Sequence, residues 1–375
     1  MKIAITSLYL PSGSKIGVGY QVHNLANELV RRGHQVRVFS QSGRCEDSHY
    51  EVTVVPSGNR LRTFGFAWNL RHVDFRGFDV LNAHGDDWFL WFRPRPRHIH
   101  TYHGSCLAET FNAKGLGTKA RMAMLAACEY NSIPLADERV AVSENTRRYI
   151  PFIGHVIPCG VDVNLFRPGG DKSAFPSLLF VGTMHGRKRG AMLLDIFQRQ
   201  IKPAVPNAQF WAVCENKVEG DGIRWFGRIP TEQLVELYRT AWAFCLPSTY
   251  EGFGVPYIEA MASGTPVVAS PNLGAVEVTQ SGKFGLIAAD DQLGQTLVNV
   301  LTNEGERERL REAGLIRSRD FSWETVCARY EALYAGRVMP SSDRPEKGKS
   351  GSPSHESANS PHPSPPPAYP GRENS

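Results

Sequence analysis

The stretch Pro247-Ser-Thr-Tyr-Glu251-Gly-Phe-Gly254-Val-Pro-Tyr-Ile-Glu259-Ala-Met-Ala-Ser-Gly264-Thr-Pro-Val-Val-Ala269 decides the fold, because it reads as a glycine-rich turn, a helix and a strand in direct succession. Residues 241–246, just before it, are continuously apolar and read as a buried strand. Pro256 fits the first turn of a helix, where its missing N–H is one the helix start leaves unpaired anyway. That helix runs to about Ser263. The amides of Gly252, Phe253 and Gly254 then point out of its positive end, where an anion or a sugar oxygen can accept from them. Glu251 stands just before the helix and Glu259 lies inside it, eight residues on. Each carboxylate offers two acceptor oxygens and no donor, which suits adjacent hydroxyls of a sugar or a ribose.

This stretch resembles the Glu-x7-Glu motif of glycosyltransferase family 4 and its relatives, retaining enzymes of the GT-B fold. The resemblance implies an α/β protein with two Rossmann-like domains facing across a cleft and a nucleotide-sugar held mainly by the second. It also implies that Glu251 contacts the transferred sugar and Glu259 the ribose hydroxyls. The implied partners are a nucleoside diphosphate sugar donor and a hydroxyl acceptor, whether glycan, lipid-linked group or small molecule. No cofactor beyond that substrate is expected.

The 375 residues suffice for two domains that each bury a core, and 41% hydrophobic with 21% charged residues is the balance of a soluble globular chain. A net charge of +5 is compatible with an anionic donor or a membrane surface and does not call for nucleic acid. The seven cysteines are scattered without a Cys-x-x-Cys pair, and read as reduced thiols of a cytoplasmic protein with no metal cluster. The opening apolar run is too brief for a signal peptide, and no segment approaches the ~20 apolar residues of a membrane span. The expected location is therefore the cytoplasm, with peripheral contact at the inner face of the membrane as an option.

Strand-like and helical runs alternate along the chain, which predicts parallel sheets covered by helices. Strands are expected at 2–8, 36–39, 52–55, 80–83, 98–102, 139–142 and 155–158, with helices at 20–32 and 119–130. A linker rich in turn residues at 166–170 precedes a second series at 178–181, 209–213, 223–226, 242–246 and 267–269. The expected domains are residues 1–168 on the acceptor side and 169–320 on the donor side. A helix within 321–337 is expected to return to the first domain, as the resemblance implies. Residues 338–375 carry nine of the 25 prolines and are expected to be disordered, since they lack the apolar surface to offset ordering entropy.

Other residues complete the candidate site. Gly17 and Gly19 follow the first strand and let backbone amides approach a bound group. A plain tight turn needs the same glycines, but the resemblance places a phosphate-contacting loop here. His103 ends a strand at the carboxyl edge of the first sheet and resembles the family's cleft histidine beside the scissile bond; His84, His98 and His100 read as structural. Arg187, Lys188 and Arg189 follow the first strand of the second domain and are placed to face a diphosphate. Lys188 matches the family's lysine, whereas Thr183 stands where the family has an arginine, so Arg187 or Arg189 is expected to supply the guanidinium. Cys159 lies in a segment resembling the interdomain crossing, and Glu144 and Glu277 read either as cleft-flanking groups or as caps.

The expected chemistry is metal-independent sugar transfer with retention, the catalytic set being His103, Lys188 and Glu251. The donor-binding set is Gly17, Gly19, Arg187, Arg189, Gly252, Phe253, Gly254 and Glu259. A GT-B epimerase or phosphorylase, or a catalytically weak sugar-nucleotide binder, are the alternatives. Phe64, Trp68 and Phe75, with Arg60, Arg62, Arg71 and Arg76 and the lone Asp74, raise the option of a lipid-facing surface in the first domain.

Overall fold

The protein's structure, a computed structural model, describes residues 1–12, 17–58, 62–112 and 115–337. Part of the first glycine loop (13–16), Arg60 and the proline-rich tail (338–375) lie outside the described residues.

Two parallel sheets form the frame. The first contains β1 (Lys2–Thr6), β2 (Gln35–Ser40), β3 (Glu51–Val54), β4 (Val80–Ala83), β5 (Arg97–Tyr102), β6 (Glu138–Ala141) and β7 (His155–Val156), in the order β3-β2-β1-β4-β5-β6-β7. The second contains β8 (Ser177–Val181), β9 (Gln209–Val213), β10 (Ile223–Trp225), β11 (Ala243–Leu246), β12 (Val267–Ala269) and β13 (Leu286–Ile287), in the order β10-β9-β8-β11-β12-β13. Strands covered by helices on both faces are buried along their whole length and mostly apolar, as β4 and β11 are at every position, Asn82 of β4 being hydrogen-bonded to Tyr334 and Thr101. Strand order reverses between β1 and β4 and again between β8 and β11, and such switch points open the crevice in which α/β sheets bind ligands. The loops after β8 and β11, which carry Arg187 to Arg189 and Glu251, therefore meet at one crevice.

The helix Gly17–Arg31 turns Val22, Leu25, Ala26 and Leu29 inward and stops at Gly33, whose φ of 89° favours glycine. The helix Trp323–Tyr334 packs against it, adding Val326, Tyr330 and Leu333 to the first domain's core. The crossing between domains is pinned at Gly160. Gln21 donates to its carbonyl at 3.0 Å and accepts from its amide at 2.8 Å, and a Cβ there would stand 2.5 Å from the Trp323 ring. Cys159, beside it, is buried.

The aromatic run at 64, 68 and 75 does not form one outer face. Phe75 is buried edge-on against Phe39 at 5.2 Å, and Phe64 packs on Trp88 at 5.3 Å. Trp68 stays half-exposed, with the Arg71 guanidinium 4.0 Å over its ring, and Arg76 pairs with Asp74 at 2.7 Å. Helical spacing cannot distinguish a residue facing solvent from one facing the sheet, which is why the sequence pattern overstates this surface. Among the described residues, no helix is long and apolar enough to cross a membrane.

Candidate functional site

β11 ends at Leu246, and the chain turns through Glu251 into the helix Val255–Ala262, with Pro256 in its first turn. Gly254 caps that helix at a φ of 108°, and a Cβ on it would meet the Tyr257 ring at 2.4 Å, so only glycine serves. Phe253 turns inward and packs edge-on against Phe321 at 5.5 Å, anchoring the loop. A Cβ at Gly252 would lie 3.2 Å from the His103 carbonyl oxygen, so the glycine loop of the second domain touches the end of β5 in the first.

Glu251 is buried between two cations. Its Oε1 meets Lys188 Nζ at 2.8 Å, and its Oε2 meets Arg187 Nη1 at 2.9 Å. Burial works to raise this carboxyl, but the charges of Lys188 and Arg187 outweigh it and hold the group below the ordinary glutamate value of 4.5. Burial pulls the Lys188 ammonium down from its usual range, with Glu251 opposing. Arg187 also donates to the Tyr250 carbonyl at 2.8 Å, fixing its reach along the same loop.

Arg189 behaves differently. It adopts a left-handed φ of 52°, donates from Nε to the Pro247 carbonyl at 2.6 Å, and grips Asp290 with both terminal nitrogens at 2.6 and 2.9 Å. Its guanidinium braces the end of β11, and Arg187 is the arginine that joins Lys188 at Glu251. Thr183 is exposed and donates to the His185 carbonyl at 2.9 Å.

Glu259 has no cation this close. The Tyr238 hydroxyl donates to its Oε2 at 3.1 Å. Its residue surface is partly open to solvent, yet the carboxyl lies deep among protein atoms, and burial pushes it up to about 7 against the opposing pull of Tyr238 and Lys188.

On the first domain, His103 Nε2 lies 2.7 Å from His84 Nδ1, so one ring donates to the other. Burial and His100 pull His103 down to about 4, which leaves it a neutral imidazole at pH 7. His84 Nε2 is buried with no further partner, and an orphan acceptor costs less than an orphan N–H; His84 therefore donates from Nδ1 and fixes His103 in the Nδ1–H tautomer. His98 and His100 instead converge on the buried Asp87, at 2.9 and 2.8 Å, as a support beneath the strand end. Gly19 packs its bare Cα against the backbone, where a Cβ would stand 2.9 Å from the Tyr9 carbonyl; Gly17, at the start of the same helix, faces open space.

The two domains are joined beside the site. Glu277 accepts from the Glu144 amide at 2.9 Å, with burial raising its carboxyl to about 7, and the Asn145 side chain reaches the Glu251 carbonyl at 3.4 Å. The structure thus brings Glu251, Glu259, Lys188, Arg187, His103 and the glycine loop to one cleft, and turns Arg189 and Phe253 to supporting positions. Sequence reasoning missed His84 and Tyr238. Tyr238 is fully buried in the helix Thr231–Thr240 and reads as core, so no sequence signal marks it; His84, at the end of β4, carried the same strand-end signal as His103.

Comparison with known proteins places this cleft in context. Residues 16–165 match the family described as Glycosyltransferase Family 4, and residues 175–303 match Glycosyl transferases group 1. The O-antigen chain mannosyltransferase B of Escherichia coli is 34% identical over 162 residues, which is 39% of this chain and 42% of that protein, so the chain spans less than half the length of this relative. The sucrose-phosphate synthase of Thermosynechococcus elongatus superposes with a TM-score of 0.75 at 21% identity, covering 89% of this chain and 98% of that one. HepE of Anabaena, solved in complex with UDP-glucose, superposes with a TM-score of 0.70 at 16% identity, covering 90% of this chain and all of that one (100%). Both architectures are GT-B, as the two parallel sheets here are. With one domain matching each family, the chain belongs to the GT-B glycosyltransferases of family 4 and group 1.

Proposed function

We propose that this protein transfers a sugar from a nucleoside diphosphate sugar to a hydroxyl acceptor with retention of anomeric configuration. The observation that carries this reading is the buried Glu251 carboxylate held between Lys188 and Arg187 at 2.8 and 2.9 Å, at the mouth of a helix N-terminus. Two cations beside a helix N-terminus make a seat for a diphosphate, and once the diphosphate takes those cations the carboxylate is free to accept sugar hydroxyls. HepE, a GT-B protein with UDP-glucose bound, supports a donor of this class.

In the proposed step the bond from the sugar's anomeric carbon to the diphosphate oxygen breaks and its electron pair stays on the diphosphate. The acceptor oxygen bonds to the same face of that carbon, and its proton passes to the departing phosphate oxygen. Lys188, Arg187 and the amides at Gly252 and Gly254 stabilise the charge that develops, in a pre-formed site where such donors act most strongly. Glu259 accepts from the ribose hydroxyls, and the neutral His103 borders the transferred sugar from the first domain. With protein cations in this role, no metal enters the step.

The test is thermal stabilisation by nucleoside diphosphates in excess chelator. A donor-type nucleotide should raise the melting temperature with a logarithmic dependence on its concentration. Stabilisation that appears only when a divalent metal is restored would overturn the metal-free reading, and no stabilisation by any nucleoside diphosphate would overturn the donor class.

A further inference from the structure

One side-chain cluster that shares no residue with the cleft set brings together three kinds of metal ligand. His23 lies on the buried face of the helix Gly17–Arg31, and the loop between β2 and β3 carries Cys45 and Asp47. A ring nitrogen of His23, the Cys45 sulfur and a carboxylate oxygen of Asp47 all lie within 4.8 Å of one another. Two ligand atoms on one tetrahedral zinc ion stand about 3.3 to 3.6 Å apart, so closing the trio asks for about 1 Å of side-chain movement. The loop is already held in place for it. The Leu10 amide donates to the Ser42 hydroxyl at 3.1 Å, the Cys45 amide to the Ser48 hydroxyl at 3.2 Å, and the His49 amide to Asn27 Oδ1 at 2.8 Å.

The wiring of His23 points the same way. Its Nδ1 meets the buried Tyr50 hydroxyl at 2.8 Å, and its Nε2 meets both Asp47 Oδ2 and Asn27 Nδ2 at 3.1 Å. The Asn27 amide is fixed in orientation, since its oxygen accepts from the His49 amide and its nitrogen donates to the Asp47 carbonyl at 3.1 Å. Nε2 therefore faces a donor and an acceptor at once. A proton on Nε2 satisfies Asp47 and opposes the Asn27 amide, whereas a lone pair satisfies the amide and opposes the carboxylate. A cation shared by Nε2 and Asp47 removes the second conflict, with Nδ1–H donating to Tyr50 as the outer contact that sets the tautomer.

We propose that His23, Cys45 and Asp47 bind a zinc-class divalent ion, with water in the fourth position. Thiolate, imidazole and carboxylate together suit zinc, whereas magnesium and calcium take oxygen ligands. On binding, the Cys45 S–H bond breaks, the proton goes to solvent and the electron pair left on sulfur binds the ion. His23 and Cys45 are only 4% and 9% exposed, whereas the Asp47 side chain is 78% exposed, so the ion enters from the Asp47 side and solvent supplies the fourth ligand. The ion ties the loop after β2 to the helix Gly17–Arg31 and so stiffens the first domain. It takes no part in the proposed sugar transfer, whose cations are Lys188 and Arg187. His23 and Asp47 stand 24 residues apart with no Cys-x-x-Cys pair, which is why spacing alone does not reveal the trio.

The experiment is titration of the full chain, stripped of metal and kept reduced, with Co²⁺ as a coloured stand-in and then with Zn²⁺. Co²⁺ should bind one to one, with thiolate charge-transfer absorption and the visible bands of a tetrahedral site, and Zn²⁺ should bleach both. Zn²⁺ should also raise the melting temperature with a logarithmic dependence on its concentration. Cys45→Ala should remove the charge-transfer band, and Asp47→Asn, at an exposed position that removes no core packing, should weaken Co²⁺ binding at least ~10-fold. No band in the wild type, a band that persists in Cys45→Ala, or wild-type affinity in Asp47→Asn would each overturn the proposal. The two readings separate in Cys45→Ala, where a nucleoside diphosphate should still raise the melting temperature in chelator while Zn²⁺ no longer does.

Discussion

Glu251 and Glu259 stand eight residues apart around one helix start, yet the fold gives them opposite electrical surroundings. Glu251 is buried against Lys188 and Arg187, whose charges outweigh burial and hold its carboxyl below the ordinary glutamate value. Glu259 meets only a tyrosine hydroxyl, and burial raises it to about 7. The same residue type thus serves as a fixed anion at one end of the cleft and as a group that takes up or releases a proton near neutrality at the other. Environment sets the division of labour. On the proposed reading, Glu251 organises two cations until a diphosphate claims them, while Glu259 must lose a proton before both of its oxygens can accept hydroxyls.

The largest expected effect lies on the Glu251 side. Lys188→Ala should lower turnover ~10²- to 10³-fold, by analogy with loss of one transition-state donor, with steady-state kinetics on folded protein as the measurement. Arg187→Ala should cost a similar factor, whereas Arg189→Ala should lower the melting temperature more than it lowers turnover, since Arg189 is engaged by Asp290 and the Pro247 carbonyl. Equal kinetic losses at Arg187 and Arg189 would erase the distinction between the two arginines.

A smaller effect lies on the Glu259 side. Nucleoside diphosphate affinity in the wild type should improve as pH rises from about 6 to 8 through the value near 7, because the carboxylate form is the acceptor. Glu259→Gln should bind more weakly and flatten that dependence. A wild-type profile already flat across this window would mean that the carboxyl is ionised throughout.

The smallest effect is on stability, and its sign differs between the two. The depressed Glu251 contributes stability that is present above the ordinary value of 4.5 and is lost as pH falls through the folded value. Between 4.5 and about 7 the folded Glu259 holds a proton that an unfolded glutamate has released, so its contribution declines as pH rises across that window. In thermal melts Glu259→Gln should gain on the wild type above pH 7, and Glu251→Gln should lose most there. Parallel behaviour of the two variants would contradict their opposed environments.

Much of this was legible in the chain. Gly254 and Pro256 announce the helix start, and uninterrupted apolar runs such as 243–246 announce doubly covered strands, because both follow from local backbone chemistry. What escaped depends on contacts distant in sequence. Arg187 and Arg189 look equivalent as neighbours of Lys188, and contacts far along the chain separate them: Asp290 and the Pro247 carbonyl hold Arg189, whereas Glu251 and the Tyr250 carbonyl hold Arg187. Tyr238 reads as core until Glu259 is brought to it, and His84 until β4 and β5 set it against His103. The helix Leu116–Ser132 was legible as a helix at 119–130, but with apolar residues on both faces it offers little contrast from which to read its exposed side.

The central claim is that a carboxylate clamped by two cations is the working centre of sugar transfer, and donor turnover tests it most directly. Purified protein should be offered uridine-, guanosine- and adenosine-diphosphate hexoses, with nucleoside diphosphate release measured and the anomer of the first-formed product read by NMR. The account predicts that the wild type consumes at least one donor with its configuration kept, and that Glu251→Ala, still folded, loses most of that turnover. Inverted product, or Glu251→Ala releasing nucleotide at the wild-type rate, would contradict it.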